Sequence, residues 1–241
     1  MSSTNTQLGD INNSEFSVGI IMLKTAFPRL IGDIGNPDTF HYKVHYEVVD
    51  LATVDSVVSS TQIDAAVFEG IVTAAKRLER LGVNVIATSC GFLAPIQDAI
   101  QHQIRTPFVA SSLNIIPFIN TIYGEHNDIG ILTFDKSKLS PLHFSKNYRT
   151  GLHIHDIDKE GYLYQAIKFD KKEIPYQAAE REVLTAAKQL MEQHDNLSCI
   201  ILECTNLSPY KNTIKKMTQK PVFDIVETLN WLFKASDHDQ S

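Results

Sequence analysis

Cysteine is scarce in this chain: Cys90, Cys199 and Cys204 are the complete set. So small and odd a number in 241 residues argues against a disulfide framework. It fits a reducing, cytoplasmic setting in which a thiol is kept for chemistry or for packing. Long apolar runs are missing too. No stretch reaches the roughly 18 apolar residues that a membrane-spanning helix needs. The opening residues are rich in Ser, Thr and Asn and lack the apolar core of a secretion signal. Residues 1–16 read as a flexible leader, and the polar residues 236–241 as a frayed tail. Positive charge is in deficit, with 22 Lys and Arg against 28 Asp and Glu and a net charge of −6. That balance speaks against the basic face that nucleic acid requires, and leaves room for a local pocket that takes a small anion. Gly32-x-x-Gly35 lacks the glycine spacing and the lysine of a phosphate loop, and reads as a turn.

What the chain does contain is an internal repeat. Val85-Ile86-Ala87-Thr88-Ser89-Cys90-Gly91-Phe92-Leu93-Ala94-Pro95 aligns with Cys199-Ile200-Ile201-Leu202-Glu203-Cys204-Thr205-Asn206-Leu207-Ser208-Pro209. Cys204 lies 114 positions after Cys90, and the same offset relates Ile86 to Ile200, Leu93 to Leu207, Ile100 to Ile214 and Pro107 to Pro221. Near the start of each copy, Val18-Gly19-Ile20-Ile21 echoes Ile129-Gly130-Ile131-Leu132. Short apolar runs at 17–23, 83–88, 128–133 and 198–202 suit buried parallel strands. Helical spacing precedes each cysteine strand, in Ile63, Val67, Ile71, Ala74, Ala75 and Leu78, and again in Ala179, Val183, Ala186, Ala187, Leu190 and Met191. Helices are also expected at 93–103, 112–122, 208–217 and 225–235.

The pattern predicts an α/β fold of two pseudo-symmetric lobes, each a parallel-sheet α/β unit, with the active site in the cleft between them. The lobes are expected at 17–124 and 125–235, joined through the polar Tyr123-Gly124-Glu125-His126-Asn127. The last helix of the first lobe is free to pack on the other.

Each cysteine follows a buried strand and precedes a helix. That is the carboxyl end of a parallel strand, where open α/β sheets bind ligands. Unpaired N–H groups at the helix start should draw the thiol pKa down toward neutrality and offer a dock for a carboxylate. An approximate two-fold axis would set Cys90 and Cys204 on opposite sides of one cleft. Two thiols so placed suit proton removal from one face of a carbon and delivery to the other.

These residues resemble the aspartate/glutamate racemase superfamily, which includes aspartate, glutamate and hydantoin racemases, a maleate isomerase and an arylmalonate decarboxylase. The resemblance runs from about Ser17 to Phe233. It implies a cofactor-independent enzyme, working without pyridoxal phosphate, whose acid–base positions fall on Cys90 and Cys204. It implies that Ser89, Gly91, Thr205 and Asn206 hold the substrate carboxylate, with Thr133 beside them by position. It also implies a small-molecule amino-acid or carboxylate substrate and a homodimer. The cell-wall glutamate racemases resemble one another in an Asp-Ser-Gly turn, an Asn-Thr after the first cysteine and a His two residues after the second. This chain has Met22-Leu23-Lys24-Thr25, Gly91-Phe92 and Asn206 there. The expected activity is amino-acid racemisation or epimerisation. An isomerase, a decarboxylase or hydantoin racemase of the same superfamily, or a non-catalytic carboxylate-binding protein, stands as the alternative.

Other residues speak less clearly. Arg29, in the loop after the first strand, either grips a distal substrate carboxylate or closes an ion pair. Cys199, inside its strand, reads as packing. His153 and His155 share a strand face and with Asp156 or Asp158 have the makings of a metal site, but loose spacing favours solvated histidines. His41, His45 and the lysines at 136, 138, 168, 171 and 172 carry no pattern that selects them.

Overall fold

The computed structural model describes residues 16–236. Most of the leader and of the tail therefore lie outside the described residues. Phe16, at the edge of the leader, packs its ring against Tyr42 and Phe233.

Eight strands form two four-stranded parallel sheets. In the first sheet β1 (Ser17–Leu23), β2 (Lys43–Val49), β3 (Val85–Thr88) and β4 (Phe108–Val109) take the order β2-β1-β3-β4. In the second, β5 (Asp128–Thr133), β6 (Leu152–Asp156), β7 (Leu197–Leu202) and β8 (Val222–Phe223) take the order β6-β5-β7-β8. The repeat is thus a repeat of topology. The expected strands at 17–23 and 128–133 are found with those bounds. The edge strand β2 was not anticipated: its sequence, KVHYEVV, mixes polar and apolar residues because much of it is only half-buried.

The helices Ala65–Arg80 and Tyr176–Gln193 bury the apolar positions their spacing foretold, except that Ile63 precedes the first helix and Met191 is half-buried. Each lies against a glycine of the neighbouring strand. A Cβ on Gly19 would sit 3.0 Å from Leu78, and one on Gly130 would sit 2.8 Å from Leu190. The glycines at matched positions let helix and strand approach closely, and the two leucines fill the resulting contact. The terminal helices are exchanged. Ile116–Tyr123, from the first copy, packs Ile116 and Ile119 on Ile129, Ile131 and Ile201 of the second sheet. Ile225–Ser236, from the second copy, packs Ile225, Val226 and Leu229 on Val18, Ile20 and Val85 of the first. A further apolar core runs through both lobes and includes Ile21, Leu93, Leu202, Leu207 and Tyr210. Among the described residues no helix is long and apolar enough to cross a membrane.

Leu78 and Leu190 are buried to 0% and 1% exposure at equivalent contacts. Leu78→Ala and Leu190→Ala are each expected to lower unfolding free energy by about 2–5 kcal/mol, as buried leucine truncations do. Urea unfolding of the two variants checks this; a cost below about 1 kcal/mol at either site would contradict the packing described.

Candidate active site

The cysteines sit one residue beyond equivalent backbone positions. The Ser89 N–H donates to the Ile21 carbonyl at 3.0 Å and the Glu203 N–H to the Leu132 carbonyl at 2.8 Å, so both chains leave their sheets in the same way. Each then enters a tight 3-10 turn containing a proline, Gly91–Ile96 or Thr205–Tyr210, before an α-helix continues. The helices expected at 93–103 and 208–217 thus begin as 3-10 turns, with Pro95 and Pro209 inside them.

The two turns touch. The Thr205 hydroxyl donates to the Ser89 carbonyl at 3.0 Å across the lobes. A Cβ on Gly91 would collide with both the backbone oxygen and Oε1 of Glu203, so only glycine fits there. Ser89, Cys90, Gly91, Cys204, Thr205 and Asn206 consequently line one narrow cleft, with a cavity of about 30 Å³. Its remaining walls are mostly apolar and include Phe27, Val54, Phe92, Phe134 and Ile167.

The loop after β1 is fastened over this cleft. The Ala26 and Phe27 amides donate to the Asp170 carboxylate of the other lobe at 2.6 and 3.0 Å. Gly32, at φ 103°, lies so close to Pro209 that a Cβ there would be 2.7 Å from its Cα. Arg29 lines the cleft and is held by Asp33 at 3.3 Å and by the Thr25 hydroxyl at 3.0 Å. Of the two readings of Arg29, the ion pair is present. The buried Asp33 in turn accepts from the Asn206 side-chain amide at 2.7 Å. The Asn206 carbonyl faces the Cys204 thiol, which donates to it at 3.7 Å. A continuous polar chain therefore runs from Arg29 through Asp33 and Asn206 to Cys204.

Ser89 uses its hydroxyl to accept from the Leu23 N–H at 3.1 Å. Thr133 lies a layer behind the cleft, fully buried, and its hydroxyl donates to Glu203 Oε2 at 2.6 Å. The thiols behave differently from expectation. Burial, reinforced by the nearby Glu203 carboxylate, pushes Cys90 up to about 12 and also raises Cys204. The Phe92 and Asn206 amides act in the opposite direction on Cys90 and Cys204, but desolvation outweighs them.

Glu203 is the site residue that sequence reasoning passed over. It is 1% exposed, its Oε1 has no hydrogen-bond partner, and burial raises its carboxyl to about 7. The signal was there: the repeat matches Glu203 to Ser89, and a glutamate closing a buried strand is out of place unless it has a role. The two histidines are engaged separately. His153 meets Asp128 at 2.7 Å and His155 meets Gln189 at 3.0 Å. Among the described residues no group of His, Cys, Asp and Glu is arranged to hold a metal ion.

Residues 38–232 match the Asp/Glu/Hydantoin racemase family. The chain belongs to that family. Curated relatives include a dimethylsulfoniopropionate lyase of Durusdinium sp. clade D, 25% identical over 236 residues that cover 94% of this chain and 77% of the relative. Dimethylsulfoniopropionate lyase 7 of Emiliania huxleyi is 25% identical over 232 residues, 91% of this chain and 67% of that one. The fold is shared with an allantoin racemase from Klebsiella pneumoniae (TM-score 0.58, 15% identity, 91% and 86% of the two chains). It is shared also with an aspartate racemase homologue from Pyrococcus horikoshii (TM-score 0.53, 16% identity, 90% and 99%).

The raised carboxyl has a consequence for stability. A glutamate titrates near 4.3 when unfolded and Glu203 at about 7 when folded. The folded state binds this proton more tightly, so stability is lost as pH rises between those values and the cost is complete above pH 7. Glu203→Gln should therefore match the parent near pH 4 and exceed it by up to ~3 kcal/mol above pH 7. Urea unfolding across that range checks this, and a difference that does not change with pH would contradict it.

Proposed function

We propose that this chain is a cofactor-independent enzyme that removes the proton from the carbon next to a carboxylate, with Cys90 and Cys204 as its acid–base pair. The observation that supports this best is that two thiols from equivalent strand ends line a single cleft. One thiolate takes the proton, and negative charge spreads into the substrate carboxylate. The Ser89 hydroxyl proton and backbone amides of the two cysteine turns stabilise that charge. In this reading Cys204, whose S–H donates to the Asn206 carbonyl, serves as the acid.

The substrate class follows from the walls. Arg29 is neutralised by Asp33, which leaves it poorly suited to a second substrate carboxylate. The apolar surfaces of Phe27, Val54, Phe92, Phe134 and Ile167 suit a small monocarboxylate with an apolar or methylated tail.

Two fates of the carbanion are open to this site. Reprotonation by the opposite thiol gives racemisation, which the paired cysteines favour. Expulsion of a group from the neighbouring carbon gives elimination, which the dimethylsulfoniopropionate lyases among the relatives favour. The two readings share the first step, so one experiment tests both. Proton NMR in deuterated water would follow single-enantiomer amino acids, hydantoins and dimethylsulfoniopropionate, without pyridoxal phosphate. Deuterium entering the α-carbon with loss of optical activity indicates racemisation; acrylate formation indicates elimination. Cys90→Ser and Cys204→Ser should each lower turnover by at least ~100-fold, the usual scale of acid–base catalysis. Near-parental turnover by either variant would overturn the paired-thiol chemistry.

A further inference from the structure

The cleft is shut against its own substrate class. Its cavity of about 30 Å³ has room for about one or two water molecules, and a monocarboxylate with an apolar tail is several times larger. A wall must therefore move, and most of the walls are fixed. The cysteine turns are locked by the contact of Gly91 with Glu203 and by the Thr205 hydroxyl, and the exchanged helices hold the lobes together. Segment 25–28 is fastened differently. It is tied to the first lobe on either side: the Lys24 N–H donates to the Ala52 carbonyl at 2.7 Å, and Ile34 is fully buried beside Val18 and Ile20. Arg29, bonded to Asp33, marks the end of the stretch that is free to move. Within that stretch Phe27 forms part of the cleft wall. Its backbone is held to the second lobe by Asp170, whose carboxylate accepts from the Ala26 and Phe27 amides.

Asp170 follows the helix Tyr162–Lys168 at φ 50°, in the left-handed region. Glycine is the favoured residue at such a position after a helix. The chain carries an aspartate there, and its carboxylate reaches across the mouth of the cleft to the other lobe. Ile167, in the last turn of the same helix, lines the cleft, so the anchor and the wall it faces move as one piece. We propose that Asp170 is the latch of the cleft. Substrate enters and product leaves when Ala26 and Phe27 let go of its carboxylate and segment 25–28 swings out, while the two lobes stay together. Asp170 is a positioning residue in this scheme: it touches the strap and sets Phe27 in the wall.

The inference rests on the cleft being the site of reaction, but its test needs no substrate, so its failure is separate from a failure of the proposed chemistry. A fluorescein maleimide, far too large for the closed cavity, would be used to label the folded chain at fixed pH, with peptide mass spectrometry reading each cysteine. Cys199, fully buried within β7, reports global unfolding in the same sample. Asp170→Gly keeps a residue suited to φ 50° and removes the carboxylate. It should speed labelling of Cys90 and Cys204 by about tenfold or more, the scale of losing hydrogen bonds to a charged group, and leave Cys199 at its parental rate. Asp170→Asn tolerates the same backbone and keeps a neutral oxygen acceptor, so its rate should fall between the two. Parental labelling of Cys90 and Cys204 in Asp170→Gly would overturn the latch. So would a rise at Cys199 in step with the other two, which would make Asp170 a support of the whole fold.

Discussion

The contact between the two cysteine turns is the constraint on which the rest of the structure depends. Gly91 lies against Glu203 with no space for a side chain, and the Thr205 hydroxyl reaches the Ser89 carbonyl. Neither interaction is available unless the carboxyl ends of β3 and β7 face each other. The exchanged terminal helices hold them so, each tied by sequence to one sheet and by packing to the other. Ser112, just before the first of these helices, adds a hydrogen bond from its hydroxyl to the Leu202 carbonyl at 2.7 Å. Separating the lobes would therefore expose two apolar helix faces as well as the core that both lobes share, which makes a wide opening costly.

With the strand ends fixed, the electrostatics of the site follow from burial. Free N–H groups and helix dipoles are worth most on a partly solvated group. Here the thiols are closed in by the loop after β1, latched to Asp170 and Pro209, and desolvation outweighs the amide contacts. The same closure raises Glu203 and Asp33, but with different outcomes. Asp33 is met by Arg29, the Gly35 amide and Asn206, whereas Glu203 is met by Thr133 and the Phe134 amide and keeps one oxygen bare. One acid is built into a network and the other keeps an unpartnered oxygen.

Much of this was legible in the sequence because a repeated pattern constrains twice. The 114-residue offset identified both cysteines, their strand ends and the prolines that shape the following turns. The resemblance to the racemases placed Ser89, Gly91, Thr205 and Asn206 beside them. What the sequence did not disclose depends on three-dimensional closure. Arg29 has a local partner four residues away, yet its neutralisation matters only because the loop carrying both is folded over the cleft. The rise in thiol pKa required knowing how completely the cleft is covered. Strand β2 was hidden because an edge position relaxes the apolar pattern by which the other strands were found. Glu203 was visible as a letter and overlooked because attention fell on what the two copies have in common.

That last point bears on how a symmetric scaffold supports directional chemistry. A perfect two-fold pair of thiols would be equivalent, and neither would be set as base or acid. At the first turn the chain supplies Ser89 and then a glycine that makes room; at the second it supplies Glu203 and then a threonine that reaches across. The carboxylate enters from the second lobe but lies against the first lobe's cysteine turn. Asn206, two residues beyond Cys204, accepts that thiol's proton in a hydrogen bond and is itself anchored by Asp33 of the first lobe. Each cysteine is therefore conditioned by a residue that depends on the opposite lobe for its position. The duplicated fold lines one cleft with two thiols, and the departures from duplication at positions 89, 91, 203 and 206 make their surroundings unequal.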